Sequence, residues 1–204
     1  MQLNINKKTG TLLGLVIVLA LAVIFLLAGN SSTSMNHSDH GSMMNDEEAA
    51  STYTSSELMF AQMMIPHHQQ ALTMSELALK TSKNEEVLAL AKQIRDAQTP
   101  EIKQMQTWLD VSDAPVAHNH SMEMGGMLTE KELAELASAT GATFDQLFLK
   151  GMIAHHEGAI HMAYMIKDTA NSEVKQLYTN IVRSQSAEIE TMKARSEERR
   201  VGKE

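Results

Sequence analysis

Two pairs of adjacent histidines are the side chains in this 204-residue sequence best suited to bind a ligand. The pairs are His67–His68 and His155–His156, each with one methionine shortly before it and another after it. At roughly 100° per residue, one histidine of each pair shares a helix face with both methionines. Imidazole nitrogens bind copper, and thioether sulfurs favour Cu(I). The pattern predicts copper ligation by His67, His68, Met64, Met74, His155, His156, Met152 and Met162.

Other metals fit this set of side chains less well. Zinc would call for cysteine or carboxylate beside histidine, and the chain has no cysteine. A di-iron centre would call for a Glu-x-x-His pattern, which the sequence lacks. A methionine stripe is also typical of an ordinary core, and a buried histidine is commonly hydrogen-bonded. Two alternatives therefore stay open: a structural helical module whose His and Met are core, and a copper-dependent oxidase of Cu(I).

Further histidines and methionines lie outside the two stripes. His161 points away from the second stripe with Met165 one turn on, so it is either solvent-exposed or part of a peripheral site. Two polar segments, 30–52 and 110–128, are also rich in His and Met, although packing gives methionine no reason to concentrate there. These segments predict weak collecting sites at His37, His40, Met43, Met44, His118, His120, Met122 and Met124.

Carboxylates and carboxamides lie at matching positions on the helix that follows each histidine pair. Gln98 and Glu101 follow the first pair, and Gln185 and Glu188 follow the second. Either side-chain type can hold the second ring nitrogen of a ligand histidine. The same residues are equally ordinary for a helix surface.

Apolar periodicity predicts the helices that must position these residues. One helix runs from about residue 54 to 79, a second from 85 to 109, a short third ends near 141, and two more follow from 143. Turns are expected at Lys83–Asn84 and at Asn171–Ser172. Capping boxes are expected at three helix starts: Thr54 with Glu57, Thr129 with Glu132, and Thr143 with Gln146.

An internal repeat organises the chain. Phe60, Met64, His67 and Met74 recur 88 positions later, and the helices that follow match after a one-residue slip. The repeats span residues 54–109 and 143–195, within a domain of 53–195, and a charged tail of 196–204 follows. Two helical hairpins give four main helices, so the predicted fold is all-α, and a four-helix bundle is the simplest way to bury their apolar faces.

The N-terminus predicts export. Lys7 and Lys8 precede an apolar run from Leu12 to Ala28, so residues 1–29 are expected to be a signal peptide or an uncleaved signal anchor. Positive residues stay on the cytoplasmic side of the membrane, so the rest of the chain is expected outside the cytoplasm, periplasmic or anchored. The net charge of −8 makes nucleic acid an unsuitable partner.

The two histidine motifs also resemble a known family. "MMIPHHQQALTM" and "GMIAHHEGAIHMA", each followed by a Q-x-x-E-I-x-x-M helix, resemble the paired-histidine family called domain of unknown function 305, which includes exported copper-binding proteins of the CopM type. The resemblance spans about residues 54–195 and implies a ferritin-like four-helix fold and copper binding. Gly151 stands where the first copy has Met63, which puts a symmetric role for Met63 in doubt.

Sequence and resemblance together favour a protein of copper homeostasis rather than an enzyme. No nucleophile, acid–base pair or organic cofactor motif stands out. The expected role is copper sequestration or delivery, with copper ions, the membrane and a copper exporter or other copper-handling protein as partners.

Overall fold

A computed structural model describes residues 52–114 and 125–201. The helices are α1 (Ser55–Thr81), α2 (Glu85–Val111), α3 (Glu130–Ser138), α4 (Gly141–Ala163) and α5 (Ser172–Val201), with a 3-10 turn at Tyr164–Ile166. The described residues contain no strand, so the all-α prediction is confirmed there. None of these helices is long and apolar enough to cross a membrane, and the apolar run at 12–28 lies outside the described residues.

Two of the three predicted capping boxes are present. The Thr54 hydroxyl accepts from the Glu57 backbone N–H, and the Glu57 carboxylate accepts from the Thr54 N–H at 2.7 Å. Thr129 and Glu132 form the same pair at α3. The third prediction is wrong: α4 begins two residues before Thr143, at Gly141. Gly141 has φ +56, a left-handed value that glycine adopts without strain, and the chain turns into the helix there.

The two hairpins reproduce the repeat in detail at their turns. Asn84 accepts from two backbone N–H groups at the start of α2, and Asn171 does the same at the start of α5. The hydroxyl two residues earlier, of Ser82 or Thr169, accepts from the asparagine N–H at 3.1 Å in both copies. Each hairpin therefore ends its first helix with the same hydrogen-bonded turn.

These turn hydroxyls also fasten each hairpin to the other. Ser82 donates to Asp145 at 2.6 Å, and Thr169 donates to Glu57. Asp145 and Glu57 are repeat-equivalent, near the starts of α4 and α1. The hairpins also meet directly through α1 and α4, the two helices that carry the histidine pairs. Whether the four long helices form a ferritin-like bundle stays a prediction.

The apolar core is divided into two halves. The first half, here called the Trp108 half, includes Phe60, Met64, Met105, Trp108, Met162 and Leu177. The second, here called the Phe148 half, includes Met74, Ile94, Phe148, Met152, Ile189 and Met192. Each of α1, α2, α4 and α5 has one segment packed in the Trp108 half and another in the Phe148 half. Between these two segments, each helix carries buried polar residues, here called the polar layer. This polar layer contains all four histidines of the two pairs.

Candidate metal centre

The four paired histidines are fully buried. His67, His68, His155 and His156 each have 0% exposed surface. The sequence places only His67 and His155 towards the core and their neighbours at the edge of the stripe. His68 and His156 are nevertheless buried, and each contacts a carboxylate, of α2 and of α5 respectively.

His67 and His155 meet at the contact between the two hairpins. Their ring centroids are 3.8 Å apart, with 40° between the ring planes. His155 Nε2 lies 2.9 Å from the backbone carbonyl oxygen of His67. His67 Nε2 lies 3.3 Å from the carbonyl oxygen of Gly125. Because a carbonyl oxygen can only accept, both Nε2 atoms carry the proton.

His68 and His156 are each held by a glutamate of the same hairpin. His68 Nε2 is 2.8 Å from Glu101 Oε2, and His156 Nε2 is 2.8 Å from Glu188 Oε2. Glu188 also accepts from Gln93 Nε2 at 2.9 Å, across the two hairpins. Of the two alternatives left open for these glutamates, the structure shows the contact with a histidine ring nitrogen, and here too Nε2 is the donor.

All four rings present the same atom without a partner. The Nδ1 atoms of His67, His68, His155 and His156 are buried and have no hydrogen-bond partner among the described residues. Leaving a buried polar atom unsatisfied costs about 1–3 kcal/mol. In a neutral ring with the proton on Nε2, Nδ1 carries a lone pair, the form in which imidazole ligates a metal. Each of these atoms could therefore serve as one ligand of a metal ion.

The surroundings keep the rings of His67 and His155 neutral. The pKa of His67 is lowered to about 3, mainly by burial and in smaller part by the nearby His68 and His156. Burial also holds the pKa of His155 well below its usual range, with the His67 ring as the next cause. A neutral imidazole keeps its lone pair, so both rings stay able to ligate in mildly acidic solution.

Buried thioethers lie in both core halves beside the polar layer. Met64 and Met162 belong to the Trp108 half, and Met74 and Met152 to the Phe148 half, so each half draws one methionine from each repeat. Met105 and Met192 are also buried, one in each half, although the sequence did not single them out as ligands. The signal that could have identified Met105 and Met192 is that they occupy equivalent positions in the two repeats. Soft donors therefore flank the histidines on both sides.

Histidines and carboxylates alone do not complete a site here. In residues 52–114 and 125–201, no group of three or more His, Asp or Glu side chains is arranged to hold one ion. Gln98 and Gln185, the other candidates for holding a ring nitrogen, are buried with both amide atoms unpartnered in the described part of the chain.

The remaining predicted ligands do not join this layer. His161 is exposed on α4, and Met165 is 41% exposed after it. The collecting sites lie outside the described residues: His37, His40, Met43, Met44, His118, His120, Met122 and Met124.

Solved proteins share this architecture. A DUF305 fragment from Deinococcus radiodurans is 34% identical, covering 71% of this chain and 97% of its own, with a TM-score of 0.67. A DUF305 protein from Streptomyces coelicolor, provisionally described as secreted, is 33% identical over 68% of this chain and 88% of its own, with a TM-score of 0.64. The Cu(I)-bound form of CopM is 37% identical over 72% of this chain and 98% of its own, with a TM-score of 0.61.

CopM has also been solved with Cu(II) and with silver. No protein of curated function matches the chain. The family described as Domain of unknown function (DUF305) matches residues 57–195, which include both histidine pairs and both glutamates that hold them. The chain therefore belongs to the DUF305 family.

Proposed function

We propose that this protein binds copper outside the cytoplasm and sequesters or delivers it. One observation carries the proposal: four buried imidazoles are each fixed through Nε2, and their Nδ1 atoms have no partner within residues 52–114 and 125–201. The similarity to CopM, solved with Cu(I), Cu(II) and silver, supports the choice of metal.

The donor atoms favour copper in its reduced form. Neutral imidazole nitrogen and thioether sulfur together make a soft set that suits Cu(I). Met64 and Met162 on one side of the polar layer, and Met74 and Met152 on the other, supply the sulfur. No carboxylate needs to ligate directly, because Glu101 and Glu188 are already engaged by histidine Nε2 atoms.

Storage or transfer suits this layer better than turnover. The four rings are fully buried, so an ion among them is shielded from solvent and from oxygen in solution. An oxidase would instead keep an open coordination position for its co-substrate. We therefore propose a non-enzymatic role, with a copper exporter or another copper-handling protein as the source or recipient.

Export places this activity outside the cytoplasm. The Lys7–Lys8 pair and the apolar run at 12–28 support an extracytoplasmic location, periplasmic or anchored to the membrane. The provisional description of the Streptomyces coelicolor relative as secreted agrees with it.

Glutamine substitutions test the ligands without removing the buried hydrogen bonds. A glutamine amide reaches about as far as Nε2, so H68Q and H156Q keep a donor for Glu101 and Glu188 but lose Nδ1. The exposed His161 gives the matched control, H161Q.

We expect the H68Q/H156Q double variant to bind Cu(I) more weakly by roughly 10- to 100-fold or more. Removing a residue that only holds a metal ligand in place already costs roughly this much affinity, and these substitutions remove the proposed ligand atoms themselves. Anaerobic competition against a strong Cu(I) chelator, with the full-length chain in mild detergent, measures the affinity, and circular dichroism checks the helical content. Unchanged affinity in a folded double variant would contradict the proposal. Steady oxygen consumption by the wild type with Cu(I) would favour the oxidase instead.

A further inference from the structure

A short segment of the chain lies across the two histidine-bearing helices. Residues Gly125–Leu128, here called the strap, precede α3. The Gln70 side chain of α1 binds the Leu128 backbone twice: its amide nitrogen donates to the carbonyl at 2.8 Å, and its carbonyl oxygen accepts from the N–H at 2.7 Å. The strap is therefore fixed to α1 one turn after His67.

The other side of the strap rests directly on α4. A Cβ atom placed on Gly158 would lie 1.8 Å from the Gly125 carbonyl oxygen, and a Cβ on Gly126 would lie 2.2 Å from the Ala154 carbonyl oxygen. Gly126 also has φ +86, which side chains disfavour. Both Cβ atoms would collide with backbone atoms, which cannot move aside as a side chain can. The close contact between the strap and α4 therefore requires glycine at positions 126 and 158.

The two repeats differ in how they contact the strap, and His67 is the paired histidine that hydrogen-bonds to it. Gln70 and Gly158 occupy the same repeat position, yet one fastens the strap and the other makes room for it. His155 finds its Nε2 acceptor in the backbone of α1, at His67. His67 does not bond to α4 in return, and its Nε2 acceptor is the strap carbonyl of Gly125.

We infer that Gly125 is a positioning residue for His67, and that Gly158 is glycine so that Gly125 can reach it. The Gly125 carbonyl holds His67 as the Nε2–H tautomer, which leaves Nδ1 with its lone pair. That this lone pair then serves a copper ion rests on the function proposed above. Outer partners of this kind typically change metal affinity by roughly 10- to 100-fold.

A pair of glycine variants on one helix tests this role. G158A pushes a methyl group into the strap backbone, whereas G151A, on the same helix, meets only the ends of the Leu128 and Met74 side chains, at 3.1 Å. Both changes give α4 the same gain in helix propensity. Only G158A requires the strap backbone to move, whereas G151A touches the end of the Leu128 side chain of the strap.

The first measurement uses metal-free full-length chain in mild detergent at pH 7.5. Nitrogen-15 NMR of the histidine rings distinguishes the two neutral tautomers. We expect wild type and G151A to hold His67 as the Nε2–H form alone, and G158A to show a mixture. A single Nε2–H form in folded G158A would overturn the inference.

The second measurement is the transfer of Cu(I) from the loaded chain to a chelator. G158A should transfer it roughly 10- to 100-fold faster than G151A, the range expected for loss of an outer partner. Equal rates would overturn the link to copper. If wild type binds no copper, the proposed function fails, while the tautomer result still decides the role of Gly125.

A second variant covers the case in which G158A does not fold. Q70A removes both bonds to Leu128 without adding bulk. We expect it to give a mixture of His67 tautomers as well. A folded Q70A chain that keeps the pure Nε2–H form would count against the strap as the element that positions His67.

Discussion

Each histidine ring in the polar layer is held by the partner of its Nε2 atom. His68 and His156 use carboxylates, whereas His67 and His155 use backbone carbonyls. Their surroundings differ too: the Glu101 side chain is 14% exposed and the Glu188 side chain 4%. The shared result is a protonated Nε2 and an Nδ1 with no partner among the described residues, and two kinds of contact produce it.

Acid should destabilise the metal-free protein through the buried histidines. An unfolded histidine titrates near 6.5, whereas burial lowers the pKa of folded His67 to about 3 and that of His155 in the same direction. Below pH 6.5 and above the folded pKa values, the unfolded chain binds more protons than the folded chain. The contribution of these two histidines to the free energy of unfolding is therefore fully present above pH 6.5 and is lost as the pH falls. The loss approaches about 1.4 kcal/mol per pH unit for each histidine.

Urea unfolding of metal-free chain between pH 7.5 and 5, followed by helical circular dichroism, measures this slope. The window stays above the range in which Glu57 and Glu173, whose pKa values are lowered, take up protons in the unfolded state. The H67Q/H155Q variant, which keeps donors at both positions, should lose most of the slope. A wild-type stability that is flat from pH 6.5 to 5 would show that the two rings are not buried as neutral groups.

The turns after α1 and α4 also connect the two hairpins to each other. The Ser82 and Thr169 hydroxyls close the turns after α1 and α4, and each also donates to a carboxylate near the start of the other hairpin's first helix. One small side chain thus belongs to a turn and to the contact between hairpins. Because both copies keep the arrangement, it belongs to the repeat rather than to one hairpin.

Replacing Ser82 by alanine should lower the free energy of unfolding by about 1.5–3 kcal/mol, the range for a hydrogen bond to a charged group. The bond to Asp145 is buried, so water does not readily replace it. Chemical denaturation measures the change. S138A is the matched control, since Ser138 is exposed and bonds only within α3. Equal stabilities of S82A and S138A would mean that the turn does not hold the hairpins together.

At the scale of the whole described domain, the polar layer draws on all four long helices. α1 and α4 supply the rings, while α2 and α5 supply the glutamates that hold them. An ion bound by Nδ1 atoms of both pairs would join the two hairpins. Metal binding and the packing of the hairpins are therefore expected to be coupled.

Copper should accordingly raise the unfolding midpoint of the chain. A ligand that binds only the folded state adds about 2.7 kcal/mol when its free concentration is 100 times Kd. Chemical denaturation with and without Cu(I) measures the gain. Deleting residues 31–50 should preserve it at one equivalent of copper. The polar composition of residues 30–52 predicts a flexible tether, which would lose conformational freedom on binding and so bind weakly. A gain that disappears with the deletion would place the tightest ligands in the tether and not in the polar layer.

The sequence by itself determined the helices, the repeat and the residue types of the centre. A period of 3.6 residues identifies the buried face of each helix, which is why Met64, His67, Met152 and His155 were expected in the core and are found there. Capping signals placed the starts of α1 and α3 because they act over three residues. The start of α4 was misplaced because the left-handed Gly141 sets it, not a capping side chain.

Only the tertiary structure decided what each side chain contacts. The acceptor of His67 Nε2 is Gly125, 58 residues away, and that of His155 is the His67 carbonyl, 88 residues away. His68 and His156 at the edge of their stripes are fully buried, and each contacts a glutamate of a neighbouring helix. Periodicity describes one helix at a time, whereas the register between helices and the path of the strap arise from packing. The lone pairs at Nδ1, on which the proposed copper binding depends, are set at that level.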